Sequence, residues 1–461
     1  MAEYRIEEDT LGPVKIPDTA LWGAQTERSR NNFQTGSKMP LEIIKVLLQI
    51  KKAAAIANKN EKAIAAEKAD LIVEAIDQLL ALNDDQLRKD FPLVVYQTGS
   101  GTQTNMNVNE VVAHMAGQIN SDLEILPNDD VNHGQSSNDI FPTAMNITAA
   151  VAVRDLEKAA QHLIAELKKK QEQYWHVVKI GRTHLQDATP LTFGQEVSGW
   201  VSMIEHDLSY LQQLAPTLNE LAMGGTAVGT GLNAAPHFAD LIADKMSQLY
   251  DIEFTAKTNK FYGLAAHSGL NVVHGAMKTL AADLMKIAND VRFLGSGPRA
   301  GYNELNIPAN EPGSSIMPGK VNPTQAEAIT MAAVRVMGND VVVDLASSQG
   351  NFEMNVYKPV LIDAFLESAQ LLSGTMMGFA DKMIAGMTVN EERMQELVDK
   401  SLMTVTALSP HIGYHDSAKI AQQAQKAGTT LKEAAVKSGK VTSEQFDKWV
   451  VPINMTNIDQ N

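Results

Sequence analysis

Apolar positions recur at helical spacing along most of this chain, and the interruptions are where its polar side chains collect. From Leu41 the segment LEIIKVLLQIKKAAAIANKN carries apolar residues three and four apart, which predicts an amphipathic helix. The same pattern predicts helices over 69–82, 110–119 and 143–175, then over 239–249, 264–293, 325–345 and 357–387. Most of those in the second half exceed the length of ordinary globular helices and suit rods packed side by side in a bundle. No repeat of fixed period signals a solenoid. Residues 1–40 lack periodicity and contain Gly12-Pro13, Pro17 and Gly36-Ser37, so they read as an extended arm. Beyond Asn390 the helices shorten, to 391–401, 418–427 and 431–437, with breaks at Pro410, Gly413, Gly428 and Gly439. The expected division is 1–137, 138–391 and a small helical domain over 392–461.

Composition narrows the class. At 461 residues the chain is too long for one ordinary core, and 44% hydrophobic residues with few aromatics fits long packed helices. No apolar run approaches the roughly 18 residues that span a bilayer. The opening MAEYRIEEDTLG is acidic, unlike a secretory or transit peptide, so a cytoplasmic location is expected. There is no cysteine, which removes disulfides, thiolate metal sites and thiol catalysis. A net charge of −15 argues against nucleic-acid binding, which needs a basic face. An anionic substrate is still possible, provided its site is built locally from a few lysines, polar side chains and helix N-termini.

Four polar clusters break the helical pattern. The first is QTGSGTQTNMNVN at 97–109, just before an apolar-periodic stretch. Ser, Thr and Asn cap helices anyway, but this run is far longer than capping needs, and hydroxyls with free backbone N–H groups make an anion cradle. The second, NDDVNHGQSSND at 128–139, precedes Pro142, which is expected to open the long helix. The third, KIGRTHLQDATPLTFGQE at 179–196, is a break between helices containing Thr183 and His184. The fourth, GSSIMPGKVN at 313–322, has two glycines, a proline and paired serines, so it must be a loop, and a long helix follows it. A glycine-rich stretch at 224–233 has neither the spacing nor the Lys-Ser/Thr of a nucleotide loop. His411 and His415 lack the glutamate of a zinc helix, and no metal site is expected.

GSSIMPGKVNPTQAE resembles the signature of the fumarase/aspartase superfamily, and Gly319 with Thr324-Gln325 resembles class II fumarases in particular. LWGAQTERS at 21–29, the GSGTQ-x-N-M-N run, GRTHLQDA-x-P and LAMGGTAVGTGLN resemble further blocks of that family. The resemblance extends from about Arg5 into the C-terminal region. It implies a mainly α, three-domain fold whose central long-helix bundle forms the core of a homotetramer, with sites made from three chains.

The implied reaction is reversible hydration of fumarate to (S)-malate, a tricarboxylic acid cycle step, without metal or organic cofactor. Ser314 matches the family's base, His184 the histidine that handles the water, and Glu327 its acidic partner. Lys320 and Asn322 match the donors that stabilise the carbanion, with Val321 between them. Ser100, Gly101, Thr102, Ser136, Ser137, Asn138, Thr183 and Ser315 match the positions that hold or flank the substrate carboxylates. The family's second dicarboxylate site would fall at Asn128 and Asp129. Its histidine position is Leu126 here, and Leu123, Glu124 and Ile125 precede it, so a weak or absent second site is expected. His133 inherits no role and reads as a structural hydrogen-bonder. The alternatives are an aspartate ammonia-lyase, disfavoured by Gln25 and the GKVNPTQ run, and a non-catalytic helical scaffold. A scaffold would have no packing reason to keep Ser314, His184 and Lys320.

Overall fold

The computed structural model describes residues 4–458. Helix dominates it, and the strands are short and paired two by two. The chain divides into two compact units. One takes the chain as far as Glu157, then Ser209–Thr279 and Val334–Leu371; the other takes Lys158–Leu208, Leu280–Ala333 and the chain from Leu372. The boundaries fall inside the five longest helices, Ser137–Gln173, Phe193–Leu214, Ser268–Leu294, Thr324–Ser348 and Lys358–Phe379.

The first unit opens with a feature that periodicity at 3.6 does not reveal. Residues 1–40 are not a bare arm: Tyr4–Asp9 pairs antiparallel with Gly12–Pro17, and a helix follows at Ala24–Asn32. Val14, Ile16, Leu21 and Trp22 are buried, and charged groups fasten the elements further. Arg5 donates to the carbonyls of Pro17, Ala20 and Trp22, at 3.0, 2.7 and 2.7 Å. The Glu110 carboxylate accepts the N–H groups of Gly23, Gln25 and Thr26, satisfying free donors at a helix start. The expected helices at 41–60 and 69–82 are present as Leu41–Asn60 and Ala66–Leu80, burying Ile44, Leu47, Leu48, Ile72, Ile76 and Leu79.

Two helix starts lie earlier than the apolar pattern indicates. The helix expected from residue 110 begins at Thr102, so most of the first polar cluster is helical. Asn105, Asn107 and Asn109 are fully buried there and bonded to side chains or carbonyls, so their polarity does not mark a loop. The long helix starts at Ser137, leaving Pro142 inside it instead of opening it. The proline removes the donor that would have met the Asn138 carbonyl.

The second unit contains the other correction. The stretch at 179–196 is a hairpin, Val178–Thr183 against Gln186–Thr192, with a bulge between Ile180 and Arg182. The helix expected at 357–387 ends at Phe379 and finishes in a π turn over Ala380–Ile384. The C-terminal segment has short helices at Glu391–Lys400, Tyr414–Ala427, Leu431–Lys437 and Ser443–Trp449, of which the pattern missed the last. Leu408, Ile420, Ala424, Leu431, Ala435, Val441 and Phe446 form an apolar cluster of its own. No helix among the described residues is long and apolar enough to cross a membrane.

Candidate active site

The loop at 313–322 is closed on itself. The Gly313 N–H donates to the Lys320 carbonyl at 2.8 Å, and Asn322 Nδ2 donates to the Gly313 carbonyl at 2.7 Å. A Cβ on Gly313 would lie 2.6 Å from the Lys320 carbonyl oxygen, so only glycine permits this closure. Gly319 turns the chain with φ +80°. Inside the ring, Ser314 Oγ accepts the N–H groups of Ile316 and Met317, at 3.2 and 3.0 Å. Two donors aimed at one hydroxyl oxygen favour its ionised form. Lys320 is exposed, with no ion pair or hydrogen bond from its ammonium among the described residues. The helix Thr324–Ser348 begins two residues beyond Asn322 and carries Glu327 in its first turn.

His184 occupies a hairpin tip. Thr183 pairs with Gln186, so His184 and Leu185 are the two turn residues, with φ of 57° and 60°. Positive φ at both positions is the type I′ geometry that Asn-Gly adopts without strain. A histidine and a leucine held there, both exposed, mark a place where presentation of a side chain outweighs local comfort. The hairpin base is rigid. Glu304, fully buried, receives a two-pronged contact from Arg182 at 2.9 and 3.1 Å, and Lys179 lies 3.4 Å from it and 2.9 Å from Glu196. Glu304 lies outside every polar cluster in the sequence, and no spacing signal identifies it. Within one chain His184 and Glu327 share no hydrogen bond or ion pair among the described residues.

The first unit brings the other two clusters together. Gly101, at φ +83°, precedes the Thr102–Ile119 helix, and a Cβ there would strike the Phe141 ring at 2.3 Å. Ser100 and Thr102 hydroxyls are 2.7 Å apart at that helix start. Asn105 Nδ2 reaches Ser137 Oγ at 3.0 Å, tying the cradle to the start of the Ser137–Gln173 helix. Ser136 Oγ accepts the Asn138 N–H, while Asn138 Nδ2 donates to the Ala227 carbonyl at 2.7 Å. Asp139 holds this loop from within, accepting N–H groups from Ser136, Gly224 and Thr226 at 3.0, 3.0 and 2.9 Å. Burial pushes its carboxyl up, and those donors together with the Lys51 charge oppose the shift. The arrangement is a row of hydroxyls and amides at two helix N-termini, suited to a carboxylate.

Asn128 and Asp129 lie in a one-turn π helix, Pro127–Val131, beside a cavity of about 990 Å³. Lys68, a cation lining that cavity, is bound to Asp130 at 2.8 Å. His133 forms a hydrogen bond with the Asp129 carbonyl at 3.1 Å, as a structural residue would. No group of three or more His, Asp or Glu side chains among the described residues is arranged to hold a metal ion.

Known proteins share this architecture. A family model described as lyase matches residues 12–338, and one described as fumarase C C-terminus matches residues 405–457. The chain is 55% identical over 456 residues to a fumarate hydratase class II of Listeria monocytogenes, covering 98% of this chain and 100% of that one. It is 54% identical over 459 residues to the Bacillus subtilis protein of the same name, covering 98% and 99%. A crystal structure of class II fumarase from Schistosoma mansoni superposes with a TM-score of 0.94 at 42% identity, covering 98% and 99%. With glycine closure of the Ser314 loop, a strained His184 turn and a hydroxyl cradle at Ser100–Thr102 on the same fold, this chain belongs to the class II fumarate hydratase family.

Proposed function

We propose that this chain hydrates fumarate reversibly to (S)-malate, with Ser314 as the base and His184 handling the water. The observation that carries the reading is the pair of backbone N–H groups on Ser314 Oγ within a glycine-closed loop. An ordinary serine is far too weak an acid to serve as alkoxide. Two aimed donors and the nearby Lys320 ammonium favour the ionised form. Toward fumarate, Ser314 takes the proton from the carbon beside one carboxylate, and that C–H pair moves into the carboxylate. The C–O bond on the next carbon then breaks, and protonated His184 supplies the proton with which hydroxide leaves as water. Lys320 and the second N–H of Asn322 stabilise the enolised carboxylate, which carries two of the intermediate's three negative charges, each well-aimed donor contributing about 3 kcal/mol. Thr183, Ser100, Thr102, Ser136, Ser137 and Asn138 hold the carboxylates, with Gly101, Ser315 and Val321 shaping the surroundings. Glu327 orients His184.

The complete site is shared among the chains of a homotetramer. An exposed stripe on the Thr324–Ser348 helix supports assembly: Met331, Val334, Val341 and Leu345 are 67, 62, 58 and 57% exposed and lie along one face. The product chemistry suits the tricarboxylic acid cycle in the cytoplasm. The second dicarboxylate site is weak or absent, because Leu123 and Leu126 supply no charge and Lys68 is engaged by Asp130. An ordered dicarboxylate beside Asn128 in soaked crystals would contradict that.

The test follows ultraviolet absorbance of fumarate with and without ammonium. Loss without ammonium, with malate formed, is expected, and Ser314→Ala should lower kcat by about 10²–10⁴-fold. Loss only with ammonium would make the enzyme an ammonia-lyase.

A further inference from the structure

Beneath the carboxylate cradle lies a buried amine that the mechanism does not use. Lys51, midway along the Leu41–Asn60 helix, has no exposed surface. Its ammonium donates to Asn132 Oδ1 and to Gln135 Oε1, both at 2.9 Å. Burying an ammonium is costly unless its hydrogen bonds are met, and the acceptors here are neutral amides. Burial accordingly drives the Lys51 amine well below its ordinary range, opposed by the charge of Asp139.

The acceptors connect Lys51 to the binding loop. Asn132 Oδ1 also accepts Asn105 Nδ2 at 3.1 Å and Asn109 Nδ2 at 3.2 Å, so three donors converge on one oxygen. Asn105 Nδ2 in turn reaches Ser137 Oγ, and Asn132 Nδ2 donates to the Gln135 carbonyl. The residue after Gln135 is Ser136, whose N–H is held by Asp139. The loop from Asn132 to Asp139 is thus clamped by the buried Lys51 amine at one end and the buried Asp139 carboxyl at the other. Its exposed edge is the Ser136-Ser137-Asn138 triplet.

We propose that Lys51 is a positioning residue that fixes, through Asn132 and Gln135, the geometry in which Ser136, Ser137 and Asn138 grip a substrate carboxylate. The inference rests on the reading of that triplet as the carboxylate cradle. Displacement of binding groups by an ångström is enough to lose their aim, and removing the ammonium leaves the Gln135 side-chain oxygen without a donor. A grip on a carboxylate that does not react acts equally on ground and transition states, so its loss raises KM and spares kcat. A residue needed only for folding would do the opposite, lowering active enzyme and leaving KM alone.

The experiment compares Lys51→Met with Ser137→Ala in the whole enzyme, measuring kcat and KM for fumarate and the circular dichroism melt. For Lys51→Met we expect KM to rise about tenfold, with kcat within about threefold of the parent. Ser137→Ala should also raise KM. If Ser137→Ala raises KM and Lys51→Met leaves it unchanged, the role of Lys51 is overturned while the cradle stands. An unchanged KM in Ser137→Ala overturns the cradle and the Lys51 role with it. A fall in kcat at constant KM in Lys51→Met reduces it to a folding residue. Should Lys51→Met not fold, Asn132→Ala, which leaves the ammonium its Gln135 acceptor, reads the same linkage with the same expected rise in KM; an unchanged KM there overturns it.

Discussion

Single atoms decide the chemistry of the 313–322 loop. A Gly313 side chain would lie 2.6 Å from the Lys320 carbonyl oxygen, and a backbone carbonyl can yield only by moving the loop with it. Gly313→Ala should therefore push the Lys320 carbonyl outward and spoil the pair of N–H groups on Ser314. Loss of kcat by about 10²-fold is expected, because small misplacements of reacting groups have that cost. Stability should change by less than about 1 kcal/mol, since the loop is largely exposed and covers little core. Steady-state kinetics with a thermal melt would check both halves, and a variant with full activity would refute the closure argument. At the other tip, the positive φ of His184 and Leu185 is invisible in the sequence. Neither residue type favours that geometry, and only the register Thr183 to Gln186 reveals it.

Between helices, buried acids set the pH behaviour. Asp207 on the Phe193–Leu214 helix is pushed up to about 7, first by burial and then by the charge of Asp283 and a hydrogen bond with it. The unfolded carboxyl titrates near 3.8, so between that pH and about 7 the folded state binds the extra proton. Stability from this group is present at low pH and is lost as pH rises through about 7. Asp207→Asn keeps the shape without the charge. Its melting temperature should exceed the parent's above pH 7, and the gain should shrink toward pH 4. A gain that grows toward acid pH would show that the pair is not sharing a proton.

For the whole molecule, the residues matched to the reaction divide between two compact units. Ser100, Thr102 and Ser136–Asn138 belong to one, and His184, Ser314, Lys320 and Glu327 to the other. A site shared among chains predicts complementation. His184→Ala and Ser314→Ala enzymes, unfolded together and refolded, should recover activity that neither has alone, because some mixed sites draw both intact residues from different chains. Mixing without recovery would place each site within one chain. Val334→Glu, on the exposed stripe, should dissociate the assembly in sedimentation and abolish activity together.

Much of this was legible without coordinates. Apolar spacing located the long helices, because a helix that buries one face must repeat near 3.6 residues. Glycine, proline and serine located the 313–322 loop, since no regular element accommodates them together. Motif resemblance assigned the family and the expected roles of Ser314, His184 and Lys320. Periodicity failed where polarity was buried: the asparagines at 105, 107 and 109 are helical because they bond inside the protein. It failed again at residues 4–17 and 178–192, where strand pairing depends on partners rather than on local spacing. Lys51, Glu304 and Asp139 came only from the tertiary structure. In sequence each is one charge among many, and what gives it a role is the set of donors or acceptors that folding brings to it from distant parts of the chain.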